Sequence, residues 1–372
     1  MPRTIRSGEL GRKDLWNLLG PHLKKHGRCA FSYATLQNGL SYYLTDDGYL
    51  SFVPARHWMM SPFGKKVVFC NPVCGPERYA ALADEFVKEH GPALFLPLYE
   101  DCAQALREKG YRVWCIGLEP EIPVQTYNTE ANWNELRYIK EGLSRAQREG
   151  TIVREVGLDK LDMRELATIS QEWLAHKRLN DREIWLYARK PVFEDEEDVR
   201  HFVAYDKTGK IIGFAFYDPI YEQGKVIGYC ANICRCDERN FRQLASVIHM
   251  KAIETFRKEG KRGLNLGIAP FWEMHRGTWN DDKLVHAFLK MLYTHGNEMY
   301  NFQGLSFHKS RYRAPARPLY MATRTKLGLK DVYLAFAVSE IIRSPFEIGI
   351  KVAKGMIKGQ PHYASGSGAR RT

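Results

Sequence analysis

What this chain lacks narrows its identity before any motif is considered. None of its apolar runs reaches the roughly 18 uncharged residues of a membrane span, and the opening MPRTIRSGELGRKD has no apolar core of a secretory signal. A cytoplasmic chain, or one peripheral on the inner membrane face, is expected. The 8 cysteines form no CxxC pair and have no histidine at ligand spacing, so no metal or other cofactor is expected. Cys230, Cys234 and Cys236 would share one face of a strand; the set reads as small buried hydrophobes. Acid is in deficit: 55 Lys and Arg against 43 Asp and Glu leave a net charge of +12. That balance favours a phosphate-bearing partner, whether nucleic acid, an anionic membrane surface or a phosphorylated carrier.

What is present is organised around residues 210–271. KIIGFAFYDPI and KVIGYCANICR alternate apolar residues and are joined by YEQG, a Gly-containing link, which predicts an antiparallel hairpin. A helix follows from about Asn240 to Lys258, with Phe241, Leu244, Val247, Ile248, Ala252 and Phe256 near a 3.6 period and Gly260 as its stop. GLNLGIAPF then supplies a strand, completing β-β-α-β.

Upstream, LSYYLTDDGYLSFVPA predicts a hairpin on an Asp-Asp-Gly turn, and KKVVFCNPV through YRVWCIG reads strand, helix, strand, helix, strand. The partition expected is a basic N-terminal helix over 1–27, a first unit over 28–125, a second over 126–330 carrying the site, amphipathic C-terminal helices over 331–359 and a disordered tail over 360–372. WNELRYIKEGLSRAQREG predicts a helix with Trp133, Leu136, Ile139 and Leu143 on one side. Its Arg137, Lys140, Arg145 and Arg148 form either a solvated face or a phosphate-facing stripe, with Arg137 and Arg145 as substrate-binding candidates. EDEEDV, 194–199, reads as an acidic loop. In the last segment Phe346, Ile350, Ala353 and Ile357 share one helical side and Lys351, Lys354 and Lys358 lie on others. Such a helix lies in an anionic membrane interface or packs against the body.

NLGIAPF and YNFQGLSFHKSRY, with the spacing between them, resemble the C-terminal soluble domain of bacterial phosphatidylglycerol lysyltransferases and their alanyl-specific relatives. LRYIKEGLSRAQREG, ISQEWLAHK and IIGFAFYDPIY resemble that family's basic helix, EWL-containing helix and central hairpin, and the likeness runs from about residue 28 to 325. The resemblance implies an α+β fold of two tandem GNAT-like (N-acyltransferase) domains, each a mixed, largely antiparallel sheet flanked by helices. It also implies an aminoacyltransferase that takes its group from aminoacyl-tRNA and places it on a lipid acceptor. An acetyl-CoA-dependent GNAT enzyme would carry a glycine-rich turn before the helix that follows the hairpin, to hold the pyrophosphate. RCDERNFRQLA stands there, and no glycine occurs between Gly228 and Gly260.

Acyl transfer needs a donor held near a nucleophile, a group that receives the developing oxyanion, and a route for the proton. Arg235 closes the second hairpin strand, where the family pattern is Asp, two residues, Arg; here it reads Asn232, Ile233, Cys234, Arg235. The guanidinium fork suits a phosphate or carbonyl oxygen, whereas Asn232 accepts no proton at neutral pH. Lys309 matches a family lysine, and His308 beside it is an imidazole titrating near 6.5 when unperturbed. Glu273 and His275, after the APF turn, are candidate bases. Tyr300, Asn301, Phe302, Gln303 and Asp218 are candidates for the substrate-binding walls. Plainer roles stand beside these: a surface strand-end Arg235, a solvated Lys309 in a basic loop, packing aromatics, and a turn-forming Asp218 before proline.

Three readings result. The first is aminoacyl transfer from aminoacyl-tRNA to a lipid or lipid-like acceptor at the cytosolic membrane face. The alternative is N- or O-acyl transfer from fatty acyl-CoA or acyl carrier protein to an amino acid or amine. The third is a GNAT-like binding module without turnover, which the Asp-to-Asn departure keeps in play.

Overall fold

Alternation of apolar residues in Ile211–Glu222 and Lys225–Cys236 builds the hairpin on which the second half rests, and its turn places Gln223 and Gly224 at positive φ, 48° and 81°. The computed structural model describes residues 2–57, 61–128, 135–175, 185–236, 241–325, 328–342 and 344–358. Trp133, Asn240 and the tail 360–372 lie outside these.

The chain opens with an edge strand, β1 (Arg3–Ile5), and helix α1 (Arg12–His26). The helix expected over 1–27 is therefore shorter, because the first residues find backbone partners on the first hairpin. Leu15, Leu19 and Leu23 form the buried stripe of α1. The hairpin is β2 (Ser41–Thr45) and β3 (Gly48–His57), closed by the Asp46-Asp47 turn. Next come β4 (Ser61–Val73), α2 (Tyr79–His90), β5 (Ala93–Leu98), α3 (Glu100–Glu108) and β6 (Arg112–Pro123), in the order read from the sequence.

The second half comprises α4 (Arg137–Glu149), β7 (Ile152–Glu155), α5 (Met163–Ala175), β8 (Arg200–Tyr205), β9 (Ile211–Glu222), β10 (Lys225–Cys236) and α6 (Leu244–Lys258). Short strands β11 (Gly263–Asn265) and β12 (Ala269–Pro270) follow, then α7 (Lys283–His295) and α8 (Phe302–Ser310). The chain ends in β13 (Ala316–Thr323), α9 (Gly328–Val338) and α10 (Pro345–Lys358).

All thirteen strands among the described residues join one sheet, ordered β1-β2-β3-β4-β5-β13-β6-β11-β10-β9-β8-β7, with β12 also on β6. Only β4/β5 and β10/β11 are parallel, so the sheet is mixed and largely antiparallel, with helices flanking it, as an α+β fold requires. The boundary read at 125/126 falls just past the end of β6 but does not divide the sheet. Strand β6 pairs with β13 over Arg112–Pro120 and with β11 over Glu121–Pro123, and β13 inserts between β5 and β6.

The period of 2 along β9 sorts the packing. Phe214, Phe216 and Ile220 join the large core shared with the first half, while Ala215 and Tyr217 meet Leu244, Ile248 and Phe256 of α6 in a second core. Strands β10 and β11 run parallel for three residues, Gly228–Cys230 opposite Gly263–Asn265. A Cβ on Gly228 would lie 2.7 Å from the Gly263 carbonyl oxygen, so glycine permits this approach. Beyond it the strands part. The register of β10 against β9 shifts between Ala231 and Ile233, making Asn232 a bulge, and β10 stays with β9. The other chain turns to β6 instead: Leu266 N donates to Pro120 O (2.9 Å) and Phe271 N to Ile116 O (2.8 Å).

The bulge also corrects the expected cysteine face. Cys230 sits opposite Asp218, but Cys234 and Cys236 sit opposite Ala215 and Gly213, on the other side of the sheet.

Helix α9 is fastened to the first half by Lys65, whose Nζ donates to Thr323 Oγ1 (2.8 Å), Thr325 Oγ1 (2.5 Å) and Asp331 Oδ1 (2.5 Å). Lys65 and Asp331 are both buried. Replacing Asp331 with Ala leaves an uncompensated ammonium, so D331A is expected to lower the unfolding free energy by about 3–5 kcal/mol, read from urea denaturation.

Candidate active site

The wedge between β10 and β11 opens into a cavity of 1470 Å³. Its polar wall carries Glu165 and Glu172 of α5, Asn232 and Arg235 of β10, Arg242, and His308 and Lys309 of α8. Its apolar wall comes from β5, β6, β13 and α9 through Leu96, Ile116, Met321, Val332 and Phe336. Both halves of the sheet are needed to enclose it.

Arg235 is buried at the end of β10, not exposed as a strand-end residue would be. Its guanidinium lies 3.9 Å from the centre of the Trp173 ring, and Nε donates to Ser170 Oγ (3.4 Å). Ser170 and Trp173 belong to the EWL-containing helix, α5, which thus grips the arginine by stacking and a hydrogen bond.

Lys309 is likewise buried, and it lies in a helix rather than a basic loop. The short α8 escapes periodicity because FQGLSFHKS has Gly304 within it and no regular apolar spacing. Lys309 Nζ donates to Ile268 O (2.6 Å), at the mouth of the wedge. Burial lowers its pKa to about 8, against the pull of Cys230 and Glu119. The ammonium is therefore the form present below that pH. His308 lines the cavity beside it, with its ring edge-on to Tyr312 at 5.7 Å.

Asn232 lines the cavity too, and its amide is fixed from behind. Nδ2 donates to Asp218 Oδ2 (2.7 Å), and Oδ1 accepts from the Arg189 backbone N–H (3.4 Å). Asp218 is wholly buried and shares Arg189 with Glu196: Nη2 to Asp218 Oδ1 and Nη1 to Glu196 Oε2, each 2.6 Å. A carboxylate thus exists beside position 232, one strand over, but it is neutralised and sealed. Asp218, read as a substrate-binding candidate, does not line the cavity; it orients Asn232. The acidic stretch 194–199 is a loop, and Glu196 serves this cluster and Arg12 of α1 (2.9 Å).

Of the other candidates, Tyr300, Asn301 and Phe302 line the cavity. Gln303 does not, because its side chain donates to the carbonyls of Tyr293 (3.2 Å) and Thr294 (3.3 Å) at the end of α7. Glu273 and His275 also lie outside it; Glu273 pairs with Arg276 at 3.3 Å. Arg137 and Arg145 are on the outer surface of α4, each paired one turn on, with Glu141 (2.7 Å) and Glu149 (2.6 Å).

Residues that pattern reading missed include Trp173, Arg242, His249 and Arg311, all in the lining. His249 is buried with Nδ1 2.7 Å from Tyr217 Oη, and burial presses its pKa down to about 3, so the ring is neutral. The guanidinium of Arg311 lies 3.7 Å from the centre of the Phe307 ring. The signals were slight: His249 occupies an apolar helix position, and Arg311 sits in a run already rich in base. Away from the lining, Arg317 binds Glu119 (2.8 Å) and Glu121 (3.0 Å) across β13 and β6.

The sequence pattern of the family described as phosphatidylglycerol lysyltransferase, C-terminal, matches residues 21–323. An uncharacterized protein of Corynebacterium glutamicum is 21% identical over 336 residues, which cover 86% of this chain but 40% of that protein's length. Among solved structures, the C-terminal domain of a putative lysylphosphatidylglycerol synthetase from Agrobacterium fabrum superposes with a TM-score of 0.70 at 18% identity, covering 90% of this chain and 99% of that one. L-PGS from Bacillus licheniformis gives 0.67 at 17% identity, covering 90% and 97%. At these identities the structural likeness establishes the fold.

The Asn232–Asp218 contact predicts the effect of placing an acid at position 232. Asn232→Asp sets two carboxylates at hydrogen-bonding distance and is expected to cost about 1–3 kcal/mol of stability at pH 7. The new carboxyl is held above its unfolded pKa, so the loss is absent below about pH 4 and grows as pH rises through the folded value. Thermal unfolding of both proteins from pH 4 to 7 checks the sign.

Proposed function

The chain belongs to the phosphatidylglycerol lysyltransferase C-terminal family, and on that premise we propose that it moves an aminoacyl group from aminoacyl-tRNA to a lipid acceptor at the cytosolic membrane face. The observation that carries this reading is that Arg235 and Lys309 line one cavity whose lining also includes apolar residues of β5, β6, β13 and α9. In this reading the two halves of the sheet are tandem GNAT-like domains, 28–125 and 126–330, that exchange β13.

The donor ester lies in the wedge. The acceptor hydroxyl attacks its carbonyl carbon; the new ester C–O bond forms as the bond to the ribose oxygen breaks, and the hydroxyl proton ends on that oxygen by way of His308. Arg235 and the Lys309 ammonium receive the oxyanion, in a water-poor setting where fixed positive charge is most effective. Asn232 supplies a neutral amide and takes no proton. Tyr300, Asn301 and Phe302 flank the entering group, and the apolar wall receives acyl chains. Helix α4 borders the polar side, where Tyr138 Oη donates to Arg242 O (2.9 Å), so Arg137 and Arg145 extend the basic surface toward the donor's phosphates.

Labelled aminoacyl-tRNA incubated with phosphatidylglycerol micelles is expected to yield an RNase-sensitive labelled lipid. Label moving only from acyl thioesters would replace this reading with the fatty-acyl one, and transfer from neither would leave a binding module. Arg235→Ala and Lys309→Ala are each expected to slow transfer by about 10²–10³-fold with unchanged circular dichroism. Because the charged form of Lys309 is lost upward through about 8, the rate is expected to fall as pH rises past that value, and Lys309→Arg to move the falling limb to higher pH.

A further inference from the structure

Six of the eight exposed large hydrophobic side chains among the described residues belong to α7, α9 and α10: Leu284, Leu329, Phe346, Ile350, Met356 and Ile357. Helix α10 turns Ile348 and Val352 inward, and a Cβ on its Gly355 would lie 2.0 Å from the His295 carbonyl oxygen, so the helix is seated on the end of α7. Its outer face carries Phe346, Ile350, Ala353 and Ile357 at helical spacing, with Phe346 71% and Ile357 86% exposed. Water normally faces a polar stripe; an outward apolar one marks a docking surface.

Charge and position indicate what docks there. Lys283, Lys290, Lys330 and Lys354 are exposed on the same three helices, as is Lys358, which pairs with Glu298 at 3.0 Å, whereas the acids of these helices are occupied: Asp331 is buried on Lys65, and Glu347 pairs with Lys351 at 2.6 Å. A symmetric pairing with a second copy would set these lysines against one another. The inner sides of α7 and α9 meanwhile line the cavity's apolar wall through Leu289, Val332 and Phe336. Helices α9 and α10 lie beyond the residues matched to the family, 21–323.

We infer that the outer face of α7, α9 and α10 docks on an anionic lipid bilayer, with α10 lying in the interface, so that the helices lining the apolar wall of the cavity rest against the membrane. The inference rests on the reading that the acceptor is a lipid, but its test does not depend on transfer. In flotation assays the protein is expected to bind phosphatidylcholine vesicles containing phosphatidylglycerol, to bind phosphatidylcholine alone poorly, and to be released by salt. Phe346→Glu with Ile357→Glu alters only exposed positions and is expected to weaken binding by about tenfold or more, while Leu143→Glu with Ile152→Glu, the two exposed hydrophobics elsewhere, leaves it unchanged. Absence of binding by the unaltered protein, equal binding by the F346E/I357E variant, or a dimer that this variant splits would each overturn the proposal. If vesicle binding behaves as expected and no donor supports transfer, the docking surface stands and the assigned reaction fails. Transfer to micelles with no vesicle binding gives the converse.

Discussion

A three-residue stretch of parallel pairing, Gly228–Cys230 against Gly263–Asn265, governs everything the second half does. It is long enough to hold β10 and β11 in one sheet and too short to keep them together. Each strand then satisfies its backbone elsewhere, β10 on β9 through the Asn232 bulge and the other chain on β6 through Leu266 and Phe271. Each keeps its far edge paired, so the sheet stays continuous around the cavity that opens between them. Its walls inherit the chemistry of what happens to flank it: Arg235 from the bulged strand, the Ile268 carbonyl from the diverging one, and Lys309 reaching that carbonyl from α8.

Electrostatics within the gap follows from burial. An arginine and a lysine so little exposed would be expelled toward water without compensation. Arg235 has the Trp173 face and Ser170, and Lys309 has one carbonyl and the field of Glu119; burial outweighs that field, so the proton of Lys309 is held less firmly than a surface lysine's. Behind them, Arg189 balances Asp218 and Glu196, so the negative charge nearest Asn232 is already spoken for. An aspartate at 232 would confront that arrangement, whereas an amide completes it.

Much of this was legible in the residues. The alternation of IIGFAFYDPI and KVIGYCANICR, the Asp-Asp-Gly turn and the α6 stripe each describe contacts between near neighbours, and the hairpins and helices formed where those patterns lie. The candidate residues Arg235, Lys309, His308 and Asn232 do converge on one cavity. What was not legible depends on long-range pairing. A bulge is invisible in a strand that otherwise alternates, so the three cysteines were placed on one face; Asp218 looked like a turn residue or a ligand because its partner Arg189 lies 29 positions away in an irregular segment. Gln303 shares a motif with true lining residues, yet its side chain turns to close the end of α7. Nor does any local signal announce that β13 returns to the first half.

That return matters more than the count of strands. Had β13 completed a self-contained second unit, the apolar side of the wedge would face solvent, and Met321, together with the α9 residues that follow it, would not be available to line the cavity. By inserting between β5 and β6, β13 brings α9 into the lining of the cavity, and Lys65 fixes that helix there through Asp331. One wall of the cavity is consequently built by the segment whose outer surface is apolar and basic. The cavity thus joins the charged residues of β10 and α8 to apolar residues drawn from both halves of the sheet, an arrangement that depends on the two halves sharing strands.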